Sequence, residues 1–197
     1  MMRRLFARGT VSMAMIAMLA ACTSSLPPAL YTIAPVSGAP MSGAPKVIML
    51  QQVVLARYLE RQQIVRSSEN YRLDVQSNDW WGEPLGAMLG RVLAEELGER
   101  LPGSTVLGEN GGISSSPDAT IELHIQRLDK DASGALILQA QAGVAFKGRG
   151  ASTLRSFRFS VAPPTSDVPG EVAAISTAVG QLADGLAAML LARPATK

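Results

Sequence analysis

Apolar residues recur along this chain with two periods, and the periods locate most of its elements. From Leu85, the positions Met88, Leu89, Val92, Leu93, Leu97 and Leu101 fall at steps of three and four, the stripe of an amphipathic helix. Pro84 suits a first helical position, and Pro102-Gly103 stops the run, so a helix is predicted over 84–101. Arg91–Glu95 and Glu96–Arg100 are i,i+4 pairs of opposite charge and read as the solvated side of that helix. A second stripe, Val172, Ile175, Val179, Leu182, Leu186 and Met189, predicts a helix over 169–191. Between them the period drops to two. Ala119, Ile121, Leu123 and Ile125 alternate with Thr120, Glu122, His124 and Gln126, as in a strand with one buried and one polar face. Residues 136–146 and 157–161 continue the alternation, and the short turns between these strands predict an antiparallel meander.

The remaining segments are shorter. Leu30–Ile33 reads as a first strand and Lys46–Leu55 as a central one. Gln63–Arg66 and Tyr71–Val75 read as a hairpin, Ser104–Leu107 as a short strand and 108–117 as a loop. The order strands, helix, strands, helix predicts one α/β domain over 30–192. The expected architecture is a three-layer sandwich, a mixed β-sheet packed with the two amphipathic helices.

The N-terminus follows a different logic. Arg3, Arg4 and Arg8 precede an apolar run at 11–21. That run is about half the ~20 residues a membrane-spanning helix needs. A basic start, a short apolar run and small residues before a cleavage point describe a secretory signal over 1–21. Leu19-Ala20-Ala21-Cys22 resembles the bacterial lipobox, in which the cysteine is acylated and becomes the new N-terminus. Several acyl chains anchor a protein stably where one is marginal. Thr23 is not the aspartate of an inner-membrane retention signal, which favours the outer membrane. Residues 22–29 are then a lipidated cysteine and a tether, and seven residues reach at most ~25 Å. Cys22 is the only cysteine of the chain, so no disulfide within the chain supports the fold.

Charge changes meaning once the leader is removed. The whole chain is +2, with 18 basic and 16 acidic residues. Three of those basic residues and no acid lie in 1–21, so 15 basic residues face 16 acids in the mature chain, a net −1. Such a surface excludes a generic nucleic-acid binder.

Catalytic signatures are few. The sequence has no phosphate-binding loop, no nucleophile elbow and no metalloprotease helix. With one histidine, no multi-histidine metal site exists, and no cofactor is implied. His124, flanked by Glu122 and Gln126 on one strand face, is the sole candidate general base, and no nucleophile accompanies it in sequence. Glu95 and Glu96 diverge by ~100° on a helix and read as solvated charge. Trp80-Trp81 sits in an extended segment, where neighbouring side chains point to opposite sides. Two readings fit: one indole plugs the helix start while the other faces solvent, lipid or a partner, or both cover the helix terminus. Arg57, Tyr58 and Arg61 form a mixed aromatic and charged turn. Together with Trp80 and Trp81 they are the candidate partner-binding residues.

Read in order, Cys22, Leu30-Tyr31-Thr32-Ile33, the run from Leu55 to Val65 (LARYLERQQIV) and Trp81-Gly82-Glu83-Pro84-Leu85 resemble the PqiC-type family of ABC-transport auxiliary lipoproteins. The resemblance spans nearly the whole mature chain. Ala56 and Gln62 stand where the family usually has proline, Glu60 where it has aspartate, and Trp80 where it often has arginine. Two lost prolines make the 55–63 turn less rigid. The resemblance implies a non-enzymatic outer-membrane lipoprotein facing the periplasm, with an α/β sandwich fold. It implies an MCE-domain protein as partner, and through it a permease and an ATPase, in lipid trafficking and envelope integrity. Homo-oligomers are compatible with it. Two other functions fit the residues alone: a carrier with its own lipid cavity, and a lipoprotein hydrolase using His124.

Overall fold

The computed structural model describes residues 27–109, 116–149 and 152–192. The signal, Cys22 and most of the tether lie outside the described residues. The described residues form nine strands and two long helices: β1 (Ala29–Tyr31), β2 (Val47–Leu50), β3 (Val54–Leu55), β4 (Gln63–Ser67), β5 (Asp74–Trp81), α1 (Leu85–Arg100), β6 (Thr105–Gly108), β7 (Ala119–Lys130), β8 (Leu136–Phe146), β9 (Thr153–Val161) and α2 (Val168–Leu191). The architecture is mixed α/β with one mixed sheet and two helices in a single domain, as the alternating patterns predict.

The 12-residue strand β7 is the hub. One edge pairs antiparallel with β8, which pairs antiparallel with β9, giving the predicted meander. The other edge takes three short parallel partners in turn. β2 lies along Ala119–Ile121, β3 along His124–Ile125, and Ser67 of β4 meets Lys130. β6 extends the sheet beyond β2, while β5 and then β1 extend it beyond β4. The segment Lys46–Leu55 is therefore two strands rather than one. Gln51–Val53 breaks the run, with Gln51 N donating to Ile121 O and Gln52 N to the Glu109 carboxylate. The hairpin also differs from expectation. β5 starts at Asp74 and continues to Trp81, with register shifts against β4 that absorb its extra residues.

Both helices bury their predicted stripes. Met88, Leu89, Val92, Leu93 and Leu97 of α1 are inaccessible to solvent, as are Val179, Leu182 and Leu186 of α2. Asp167 caps α2 by accepting from Gly170 N, and Pro169 sits in the first turn. By length and composition α2 is apolar enough to cross a bilayer, but two-thirds of that stretch is buried in the domain core.

The charges of α1 depart from the amphipathic reading. Glu96 and Arg100 are not on a wet face; both are buried. The chain between β1 and β2 straps the two helices here. Val36 N donates to Glu96 Oε1, Arg100 Nη1 donates to Val36 O, and Met41 N donates to Arg100 O. Arg91 pairs with Glu83 before the helix rather than with Glu95. Sequence periodicity places Glu96 beside the stripe, and the strap, with the second helix, keeps that flank dry.

Candidate docking surface

The N-terminal half of β7 leaves one face of the sheet uncovered. Ile121, Leu123 and Ile125 point into the core, while Glu122 and Gln126 are exposed and His124 is half-buried. Register carries this open face across its neighbours. Val54, His124, Gln141 and Ser156 form one row over β3, β7, β8 and β9, and Glu122, Gly143 and Leu154 form the next. Together they line an open depression of about 650 Å³.

Two apolar side chains stand in this polar field. Val54 is 57% exposed and Leu154 is 79% exposed. Leu154 lies across β8 because Gly143 leaves room for it. A Cβ on Gly143 would meet Leu154 Cδ2 at 3.1 Å and the Glu122 side chain at 3.8 Å. The sequence reading missed both residues. Val54 belongs to an apolar run that looks like core throughout. Leu154 had a signal, since it falls out of phase with Phe157, Phe159 and Val161 on its own strand.

His124 gains no catalytic partner here. Ser156 lines the same depression, but it is two strands away, ~9.5 Å between backbones at ~4.8 Å per strand. Gln141 stands between them. Hydrogen-bond reach is about 3 Å, so the row does not assemble a nucleophile and base. Among the described residues no group of three His, Cys, Asp or Glu side chains is placed to hold a metal ion.

The sequence-predicted contact residues separate into two groups. Arg57 and Arg61 are exposed at the turn before β4, and Trp80 is half-buried with its indole N–H donating to Ser77 O at 2.9 Å. Trp81 is only 4% exposed and is part of the core, so it offers no contact. The opposite orientation of the two indoles is as the extended geometry requires. Tyr58 is also structural. Its hydroxyl donates to Asp129 Oδ2 at 2.6 Å, and burial, with that carboxylate, pushes its pKa well above the usual phenol value. This bond pins the turn to β7.

Asp129 belongs to a larger ionic network at the C-terminal end of β7. Arg127 bridges Asp129 and Glu69, while Arg66 and Lys130 both reach the buried Glu171 of α2. Burial raises the Glu171 pKa against the pull of Lys130 and Arg66. These bonds fix the β4–β5 hairpin to the helix layer. Buried ion pairs fix register more than they add net stability.

The comparisons with known proteins agree with this architecture. Residues 29–187 match the family model described as the ABC-type transport auxiliary lipoprotein component. A crystal structure of an uncharacterized protein superposes with a TM-score of 0.71 at 16% identity, covering 83% of this chain and 98% of its own. Protein XCC0632 from Xanthomonas campestris, of the DUF330 family model, gives 0.64 at 16% identity, covering 80% and 91%. At that identity the two structures attest the fold. No curated protein matches the sequence.

Proposed function

Because the chain belongs to the ABC-type transport auxiliary lipoprotein family, we propose that it is a non-catalytic subunit docking the periplasmic assembly of its transporter to the outer membrane. In this reading Cys22 carries the lipid anchor, the folded domain faces the periplasm, and an MCE-domain protein is the partner. The role is lipid transport and envelope integrity. The energy comes from the ATPase of the same system, through its permease.

The observation that carries this reading is the uncovered sheet face. Val54 and Leu154 expose apolar surface among hydrogen-bonding side chains, the mixture expected of a contact made and broken between folded partners. Among the described residues, the serine of this row, Ser156, lies beyond hydrogen-bond reach of His124, which argues against the hydrolase alternative. The depression is open to solvent and partly polar, which does not suit a carrier that must bury most of a lipid.

The test is affinity capture of the full-length lipoprotein from membranes in mild detergent, with mass spectrometry of what accompanies it. Recovery of an MCE-domain protein, lost in a Val54→Asp/Leu154→Asp variant, supports docking through this face. Recovery unchanged by that variant moves the contact elsewhere. No MCE-domain protein, with phospholipid retained by the protein, replaces docking with the carrier function.

A further inference from the structure

The tip of the β4–β5 hairpin holds a residue in a conformation its type resists. Asn70 and Tyr71 both lie in the left-handed region, with φ of 55° and 61°. Arg72 N donates to Glu69 O across them at 3.2 Å. Two consecutive left-handed residues closed by such a bond form the type I′ pattern, which strongly favours glycine at the second position. Asparagine tolerates the first. Tyrosine at the second is strained by its Cβ. Among the described residues nothing packs on Tyr71 to compensate, since it is 110% exposed. Leu73 is also exposed, at 38%, and Arg72 lies between them with its side chain in solvent. Strain retained at an exposed aromatic is a signature of function rather than of folding.

Topology says what this tip faces. β1 runs parallel to β5, with Ala29 opposite Asp79. β5 runs away from the tip, so the chain enters β1 from the tip side. Pro27 and Pro28 precede β1 and favour an extended approach. From Gln63, opposite Trp80, to Ser67, opposite Asp74, β4 rises four residues, ~13 Å. The turn projects beyond that level. A tether of seven residues back to Cys22 reaches ~25 Å, enough to bring the acylated end level with the tip and little farther.

We propose that the hairpin tip, Tyr71 with Arg72 and Leu73, rests on the phospholipid bilayer that holds the anchor. The chemistry suits that occupant. Tyrosine prefers the headgroup level, where its ring is half-solvated; leucine reaches the acyl boundary, and arginine pairs with phosphate. The contact orients the domain, with the opposite end of β7 directed away from the membrane. This inference rests on the lipidation of Cys22 in the function proposed above.

The test uses full-length lipoprotein reconstituted in vesicles of phosphatidylethanolamine with a minor share of phosphatidylglycerol. A Ser68→Cys variant receives an environment-sensitive dye, and a nitroxide carried on the lipid headgroup quenches it; Lys147→Cys at the far end is the control. The expected result is strong quenching at 68, none at 147, and loss of the quenching at 68 when Tyr71→Gly is added. Tyr71→Gly should at the same time raise the melting temperature, which separates lost contact from lost folding. Quenching at 68 equal to that at 147, or unchanged by Tyr71→Gly, overturns the proposal. So does protection of the dye only when an MCE-domain protein is added, which makes the tip a protein contact. Protein that does not float with the vesicles refutes the anchor, and this inference with it; protein that floats without quenching refutes this inference alone.

Discussion

Glu96 and Arg100 stand one turn apart on α1, both buried, yet their side chains do not pair with each other. Glu96 Oε1 accepts from Val36 N at 2.7 Å and its Oε2 has no hydrogen-bond partner. The Arg100 guanidinium instead donates to Asp184 Oδ1 at 2.6 Å and to the carbonyls of Val36, Glu96 and Gly180. One guanidinium thus ties the strap, α1 and α2 together, and the carboxylate beside it is left half-satisfied.

The half-satisfied carboxylate predicts a pH dependence. Burial raises the Glu96 pKa from 4.5 to about 7, against the lowering effect of the Val36 N–H and of Arg100. A raised folded-state pKa in an acid means that the folded protein binds the proton more tightly than the unfolded chain. Stability is therefore greatest below about pH 4.5 as far as this group is concerned, and declines as pH rises through 7. The full change is about 3 kcal/mol at ~1.4 kcal/mol per pKa unit. Glu171, also raised by burial, acts in the same direction. Urea unfolding at pH 5.5 and pH 8 should show the wild type weaker at the higher pH. Glu96→Gln should reduce that difference, leaving the part due to Glu171, and be the more stable protein at pH 8.

Removing the cation should be far worse than removing its exposed partner. Arg100→Met leaves the carbonyls of Val36 and Gly180 without their donor and Glu96 without a compensating charge. A loss of about 3–5 kcal/mol is expected, the cost of breaking a buried ionic cluster. Asp184 is 58% exposed on its side chain, so water replaces much of what Asp184→Asn removes, and about 1 kcal/mol or less should be lost. Equal losses in denaturant unfolding would mean that the strap is not held through Arg100.

Two helical glycines should respond in opposite senses. A Cβ on Gly180 would sit 2.9 Å from Val36 Cβ, so Gly180→Ala pushes the strap off the helix seam. Overpacking of this kind costs about 1–3 kcal/mol. Gly98 on α1 has nothing within 4 Å of the same position, and Gly98→Ala should gain about 0.5–1 kcal/mol from helix propensity alone. Melting temperatures of the two variants, measured side by side, check the assignment of the strap contact.

The contrast between these sites explains how much of the molecule the sequence disclosed. Stripes at steps of three and four placed α1 and α2 to within a residue, and the alternation at 119–126 separated a core face from an open one. Both signals are local. What escaped is what depends on a distant segment: the burial of Glu96 by Val36, sixty residues away, the division of 46–55 by a corner at Gln51–Val53, and the length of β5. The candidate site was read in the same partial way. Arg57, Arg61 and Trp80 have solvent-facing surface, while Tyr58 and Trp81 have the right chemistry for a contact and are consumed by the fold. Val54 and Leu154 were hidden because an apolar residue in a strand is read as core until its register is known.

Those two residues give the last prediction. Apolar side chains that serve only the fold lose stability when charged, whereas exposed ones that serve a contact lose the contact. Val54 and Leu154 are 57% and 79% exposed, so Val54→Asp and Leu154→Asp should change unfolding free energy by no more than about 0.5 kcal/mol. Each should weaken capture of the partner, and the double variant should weaken it most, because residues sharing one patch act on one interface. His124 lies between them but makes no hydrogen bond to Ser156 across Gln141, so His124→Ala should leave folding intact and affect capture less than either aspartate. Gly143→Ala is the sharper probe. It adds no charge and removes no contact group, but its Cβ would press on Leu154 Cδ2 at 3.1 Å and displace that side chain from β8. Capture weakened by Gly143→Ala, with melting little changed, would show that the position of Leu154 matters and not merely its hydrophobicity. Capture unaffected by Val54→Asp, Leu154→Asp, the double variant and Gly143→Ala would remove the open sheet face from the docking surface.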